Sequence, residues 1–167
     1  MVHNNFEKDL ADGQKGEEVV RHFGEMVWDL RFIKYNDDSA FDILFEDDEH
    51  NVVKTDYFEK NWGEGGTGNM AIEYKCRGKP SGIKKTKAMY FAYYIPNVRD
   101  KQLWIISVDD LKNLLKNCRF RRVSGGETYY DNDEKVTRCY LIDRYRYKKH
   151  FKVYTFDERG DWVLAYE

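Results

Sequence analysis

The spacing of apolar residues predicts an amino-terminal helix followed by short strands. Apolar residues recur at helical spacing over residues 14–30, at Val19, Val20, Phe23, Val27 and Leu30. Glu17 and Glu18 fall in the early turns of this helix, where acids stabilise the helix dipole. Strands are predicted next at 31–35, 41–45 and 52–57, separated by polar turns at 36–39 and 46–51. The last two of these strands are expected to form a hairpin.

The remaining pattern predicts more strands and a second layer of helix. Residues 70–76 and 103–108 are expected to be strands, and the latter leads into a helix through Leu111, Leu114 and Leu115. Residues 86–95 have the spacing of a largely buried helix, although their tyrosines leave a strand open. Further strands are expected at the carboxyl end, at 139–142, 152–156 and 162–166. This order predicts an α+β fold in which helices flank a mixed central sheet.

Length and composition narrow the class of protein. The 167 residues suit a single domain, with a core at about 9–115 and a strand-rich extension at 116–167. No apolar run approaches the ~20 residues of a membrane span, so no membrane partner is expected. The start of the chain lacks the features of a signal peptide, which favours a cytoplasmic location.

Cysteine and histidine are placed in a way that argues against a soft metal site. The three cysteines form no CxxC pair, and the four histidines form no HxxxH pair. A bound metal is therefore expected to have oxygen ligands, which points to Mg²⁺ or Mn²⁺.

Charge is distributed unevenly along a chain whose net charge is −2. Residues 37–49 are rich in acids, whereas basic residues cluster within 75–87, 119–122 and 144–152. Basic groups beside an acidic pocket suit an enzyme that holds a polyanion and a metal. An ordinary solvated surface explains the same charge runs.

Two pairs of charged residues carry the candidate chemistry. Side chains two apart in a strand share a face, so Lys54 should point with Asp56, and Glu73 with Lys75. Carboxylates next to a lysine can bind a divalent cation and stabilise charge on a reacting phosphate. The alternative is an exposed hairpin face and a cross-strand ion pair of under ~1 kcal/mol.

The order of elements, with Glu17 or Glu18 on the first helix and Asp42, Lys54 and Glu73 on strands, resembles the PD-(D/E)XK nuclease superfamily. This superfamily has the restriction-endonuclease-like fold. A more specific likeness to a bacteriophage group of these nucleases covers about residues 9–115. It depends on the strings DLADGQKGE (9–17), VKTD (53–56), TGNMAIE (67–73), GKPSGI (78–83) and TKA (86–88).

The chain departs from the superfamily signature at one position. If Lys54 is the motif lysine, the motif acid would stand at position 52, which is Val52. In a first assignment, Asp42 and Lys54 keep their roles, and Asp56 or Glu73 replaces the missing acid. In a second, Glu73-Tyr74-Lys75 is the motif itself and Asp56 is the preceding acid. The first assignment is slightly favoured because it fits a three-strand meander after the first helix.

The resemblance implies a Mg²⁺-dependent endonuclease or exonuclease acting on DNA. It implies Asp42, Asp56 and Glu73 as metal ligands, Lys54 (or Lys75) as the catalytic lysine, and Glu17 as an added acid. Phosphate contacts are expected from residues at and before a helix start, namely Lys79, Ser81, Lys84, Lys85 and Lys87. A homodimer would suit the cutting of two strands, and a phage-encoded enzyme would act in the host cytoplasm. Two alternatives stay open: an inactive nucleic-acid-binding protein of the same fold, and a small protein-interaction domain.

Overall fold

The computed structural model describes residues 16–36, 40–59, 68–95, 101–125, 137–156 and 161–166, with the backbone alone at 56–59, 125 and 166. Two α-helices occur in this part of the chain: α1 at residues 16–26 and α2 at Val108–Asn117. The strands are β1 (Arg31–Tyr35), β2 (Ile43–Glu46), β3 (Val52–Glu59), β4 (Asn69–Cys76), β5 (Lys79–Pro80), β6 (Tyr90–Ile95), β7 (Gln102–Ser107), β8 (Arg121–Gly125), β9 (Thr137–Asp143), β10 (Lys152–Phe156) and β11 (Trp162–Tyr166). Short 3₁₀ turns lie at Gly82–Lys84 and Lys148–His150.

Seven strands form a large mixed sheet in the order β1-β2-β3-β6-β7-β10-β11. The first three strands make an antiparallel meander directly after α1, as the sequence predicted. Strand β3 then pairs in parallel with β6, and the remaining neighbours are antiparallel. A parallel pair needs a long crossover connection. Here that connection contains β4, β5 and the turn Gly82–Lys84.

Four strands form a second, smaller antiparallel sheet in the order β5-β4-β9-β8. Its longest pairing joins β4 to β9, from Asn69 opposite Asp143 to Cys76 opposite Thr137. The carboxyl-terminal strands are therefore divided between the sheets, with β8 and β9 in the small sheet and β10 and β11 in the large one.

The two faces of the large sheet bury different partners. On one face, Val20 and Phe23 of α1 pack with Ile43, Phe45 and Leu103. On the other face, β4, β9 and α2 pack onto Phe91, Tyr93, Trp104 and Ile106. Side chains of β6 and β7 alternate between these two cores, so both strands are buried on both sides. The class α+β and the mixed central sheet are thus confirmed.

Local side-chain contacts fix the predicted turn and the second helix. In the β2–β3 turn, the Asp47 carboxylate accepts the N–H groups of Glu49 (3.0 Å) and Asn51 (2.8 Å). At α2, the Ser107 hydroxyl accepts the Asp110 N–H at 3.1 Å and caps the helix. The turn predicted at 36–39 falls largely outside the described residues.

The helix predicted at residues 86–95 is wrong, because this segment enters strand β6. Ala88, Phe91, Ala92 and Ile95 imitate helical spacing, but a strand buried on both faces has no polar alternation to reveal it. The lysines expected at a helix start consequently lie in and after a 3₁₀ turn. No helix in the described part of the chain is long and apolar enough to cross a membrane.

Candidate functional site

Asp42 lies where the meander begins its second strand, beside the middle of β3. Its N–H donates to the Thr55 carbonyl at 3.1 Å, and its own carbonyl accepts the Asn36 N–H at 2.8 Å. These bonds place the Asp42 backbone between the end of β1 and residues 55–56 of β3. The Asp42 side chain is half-buried. The expected neighbourhood of Asp42 and Asp56 therefore exists at the level of the backbone, while the Asp56 side chain is not described.

Lys54 projects from β3 on the face opposite α1. Its neighbour Val53 packs with the α1 core, and Lys54 pairs across the ladder with Leu44. The Lys54 ammonium lies 5.3 Å from the centroid of the Phe41 ring, the residue before Asp42. The hairpin thus places the candidate lysine against the residue that precedes the candidate acid, and we call Asp42, Lys54 and the backbone around them the strand-end site.

The segment before β6 closes over the strand-end site. The Ala40 carbonyl accepts the Lys87 N–H at 2.8 Å and the Thr86 hydroxyl at 3.2 Å. The Met89 N–H donates to the Lys54 carbonyl at 2.8 Å. Lys87, predicted to contact nucleic acid, is therefore anchored two residues from Asp42, and its side chain is exposed.

Glu17 begins α1 near the same end of the meander. Burial raises the pKa of the Tyr35 hydroxyl, and the negative charges of Glu18 and Glu17 raise it further. Tyr35 pairs with Ile43, the residue after Asp42. However, α1 packs on the face of the sheet opposite Lys54. The structure thus places Glu17 near the end of β1 but on a different side from the lysine.

Glu73 lies in the small sheet, where it lines a cleft of about 580 Å³. Met70 and Ile72 of the same strand enter the core between the sheets, so Glu73 projects the other way. The cleft brings Glu73 together with residues predicted to bind nucleic acid: Lys79, Ser81 and Lys85, joined by Arg77. We call it the Glu73 cleft.

Close backbone packing shapes one wall of the Glu73 cleft. A Cβ added at Gly82, whose φ is +49°, would lie 2.3 Å from the Glu73 carbonyl oxygen. The Thr86 N–H donates to the Gly82 carbonyl at 2.9 Å, and the Thr86 side chain reaches Ala40. The Glu73 cleft and the strand-end site are therefore neighbours, joined by a short chain of contacts through Thr86.

The middle residue of the segment Glu73-Tyr74-Lys75 belongs to the hydrophobic core. Tyr74 is buried, its ring lies 4.3 Å from that of Tyr140, and Lys84 places its ammonium 5.2 Å above it. The β4–β9 register shifts between Glu73 and Lys75. Glu73 and Lys75 thus stand on a different sheet from Asp42, whereas Lys54 shares a hairpin with it. Of the two candidate lysines, Lys54 is therefore the one on the same hairpin as Asp42.

Glu46 is a residue near the site that the sequence reasoning did not single out. It pairs across the ladder with Val52, the position at which the resemblance would place an acid. Its carboxylate accepts a hydrogen bond from Arg31 and meets His50 Nδ1 at 2.5 Å. The hydrogen bond from Arg31, and to a smaller extent the contact with His50, hold the pKa of Glu46 below its ordinary value. The i, i+4 spacing of Glu46 and His50 in a turn was the available signal.

The described carboxylates do not make a complete metal site by themselves. Among the side chains that the structure describes, no three from His, Cys, Asp or Glu form a group that could hold a metal ion. Asp42 is close to the Asp56 backbone, and Glu73 occupies the adjoining cleft. A cation at the strand end would thus need water or Asp56 among its ligands.

Comparison with known proteins does not identify a family for this chain. No protein-family model matches the chain, and no significant match occurs among curated proteins or solved structures. Inference about function therefore depends on the geometry above.

Proposed function

We propose that the protein is a divalent-metal-dependent nuclease that hydrolyses phosphodiester bonds of DNA. The observation that carries the proposal is the position of Asp42, directly before β2, beside β3, which carries Lys54, in a meander that follows a helix. This order of elements is the one that the resemblance to PD-(D/E)XK nucleases implies.

Lys54 would act by countering charge in the transition state. Phosphodiester hydrolysis accumulates negative charge on the phosphoryl oxygens, and a preorganised cation stabilises it. The Lys54 side chain is half-buried with its ammonium beside the Phe41 ring, so its charge would be screened by water less than that of a fully exposed lysine. The neighbouring Asp42 carboxylate would accept a hydrogen bond from the attacking water and orient it.

Oxygen ligands around Asp42 suit Mg²⁺ or Mn²⁺, which when bound supplies an activated water and a counter-charge. Mg²⁺ commonly keeps several waters and uses only one or two carboxylates. Asp42 with Asp56 is compatible with that requirement, whereas Glu17 lies on the side of the sheet opposite Lys54 and Glu73 lies in the small sheet.

The Glu73 cleft would hold the DNA backbone beside the strand-end site. Arg77, Lys79 and Lys85 outnumber the single carboxylate of Glu73 on its walls. Cations of this kind fix the register of a nucleic acid through its phosphates. Because Thr86 joins the cleft to Ala40, a strand bound there would pass close to Asp42.

Metal-dependent cleavage of a panel of linear, circular and branched DNA tests the proposal. Wild type is assayed with Mg²⁺, with Mn²⁺ and with EDTA, beside Asp42→Asn and Glu73→Gln. The expected result is cleavage that requires metal and is lost in Asp42→Asn. Glu49→Gln, at an exposed acid of the β2–β3 turn, is the matched control. Full activity of Asp42→Asn would refute the proposal.

The second candidate function is a nucleic-acid-binding protein of the same fold without catalysis. It is favoured by Val52, which is 51% exposed on the strand face shared with Lys54, where the motif acid is absent. Salt-dependent DNA binding without cleavage under any metal would support this candidate over the first.

A further inference from the structure

Ring contacts bring two basic segments of the carboxyl-terminal region together. Phe120, between Arg119 and Arg121, lies 4.9 Å from the ring of Tyr147, and Arg146 places its guanidinium 5.6 Å over that same ring. Lys149 follows two residues after Tyr147. We define the C-terminal basic surface as Arg119, Arg121, Arg146 and Lys149, all of which are exposed.

Few described acids lie near this surface, and one of them is Asp110 of α2, which lines a pocket together with Lys149 and His150. In the described residues of 111–156, lysine and arginine number eleven, and Asp143 is the single acid. Asp143 serves the local turn, because its carboxylate accepts the N–H groups of Tyr145 (3.0 Å) and Arg146 (3.3 Å). The positive charge of the surface therefore faces solvent in a chain whose net charge is negative.

The same turn presents Tyr145, which is exposed yet held in place. The residue as a whole is 68% exposed. The buried Arg144 donates to the Tyr145 hydroxyl at 2.8 Å, with its guanidinium 4.9 Å from the ring centroid. A Cβ at Gly68 would lie 2.7 Å from the edge of this ring, so the glycine gives it room. Core packing does not explain a fixed aromatic ring that faces water.

We propose that the C-terminal basic surface binds nucleic acid containing unpaired nucleotides, with Tyr145 stacking on a base. Exposed tyrosines beside cations form sequence-tolerant platforms for single strands, because every base has a π-face. The proposal deepens the nuclease function by naming the substrate class: single strands, or duplexes with a single-stranded segment. The claim that the bound strand is cleaved rests on the proposed nuclease function, whereas the claim that it binds to this surface does not.

Fluorescence anisotropy in EDTA tests the surface without hydrolysis. The full-length protein is titrated into a fluorescent single-stranded oligonucleotide and into the matching duplex at several salt concentrations. Tyr145→Ala should weaken single-strand binding by roughly tenfold and leave duplex binding nearly unchanged. Tyr145→Phe keeps the ring and should retain most of the affinity.

Charge reversal separates this surface from the Glu73 cleft. Arg121→Glu with Lys149→Glu should weaken binding and flatten its salt dependence. Lys34→Glu, an exposed lysine at the opposite edge of the large sheet, is the matched control and should bind as wild type. Circular dichroism verifies that each variant is folded.

Three outcomes overturn the proposal: no binding by wild type, unchanged single-strand affinity in Tyr145→Ala, or binding lost only through Lys79→Glu and Lys85→Glu in the cleft. Loss of nuclease activity has no effect on these readouts. A protein that binds single strands through Tyr145 but never cleaves them would refute the nuclease function and keep the surface.

Discussion

The two sheets differ in how many of their faces are buried. The large sheet is covered on both faces at its centre, whereas the small sheet has one exposed face. Strands β6 and β7 at the centre of the large sheet are buried on both faces, between α1 on one side and the small sheet with α2 on the other. The small sheet buries only the face that carries Met70, Ile72 and Ile142. The large sheet can therefore hold Asp42 and Lys54 in fixed positions, whereas the small sheet presents charged residues along its open side and ends.

The largest expected effect comes from breaking the contact between the sheets at Tyr93. This β6 side chain is fully buried, and its hydroxyl accepts the N–H of Ala71 in β4 at 3.4 Å. Tyr93→Ala should lower the free energy of unfolding by about 3–5 kcal/mol because a large side chain leaves a cavity. Urea denaturation measures this loss.

Tyr93→Phe is the control for the hydroxyl alone and should cost about 1 kcal/mol. A loss below that value in Tyr93→Ala would mean that the sheets hardly depend on each other.

A second experiment compares one lysine from each sheet. If the strand-end site is catalytic, Lys54→Met should lower the rate of metal-dependent cleavage by about 10²–10³-fold, as the loss of one stabilising group in a transition state does. Lys75→Met, in the small sheet, should leave the rate within a few-fold. Steady-state cleavage assays on both variants measure the ratio, and the reverse ratio would transfer the catalytic role to β4.

Glycines at the edge of the small sheet test the shape of the Glu73 cleft. Gly82→Ala should cost about 2–4 kcal/mol, because the residue has positive φ and its Cβ would meet the Glu73 carbonyl. Gly78 also has positive φ, but a Cβ there meets nothing within 4 Å. Gly78→Ala should therefore cost only about 1–2 kcal/mol. Equal losses in thermal unfolding would contradict the close packing at Gly82.

The smallest expected effect concerns the titration of Glu46. Hydrogen bonds from Arg31 and His50 lower its pKa, so it contributes stability above its unfolded pKa of about 4.3, and this is lost as pH falls through the folded pKa. Carboxyl NMR titration should give a midpoint below that value, and Arg31→Gln should raise it. A Mg²⁺-dependent change in the midpoint would instead make Glu46 a candidate for the acid missing at Val52.

The sequence predicted elements well where only one face of a strand is buried. Residues 31–35, 152–156 and 162–166 form the strands expected of them, and each is rich in β-branched and aromatic residues. The pattern failed at 86–95, where both faces are apolar. It also omitted β8, whose run of arginines, Arg121 and Arg122, does not have the composition of a strand.

Long-range pairing explains what sequence reasoning missed in the site. The neighbourhood of Asp42 and Lys54 followed from a local hairpin and could be predicted. The assignment of Glu73 to another sheet could not be, because its partner Cys139 is far along the chain. Likewise, nothing local in the sequence indicates that Phe120 meets Tyr147 and joins two basic segments.

The pairing of β4 with β9 also has a consequence for synthesis of the chain. Met70 in β4 pairs with Ile142 in β9, which is synthesised much later. Strand β4 therefore has an unpaired edge while the intervening residues leave the ribosome. Pairings of such high sequence separation close slowly, since loop entropy is lost before contacts form. We therefore expect a refolding phase in which the meander is protected from hydrogen exchange before β4, leaving the NMAIEYKC segment open to chaperones or to self-association.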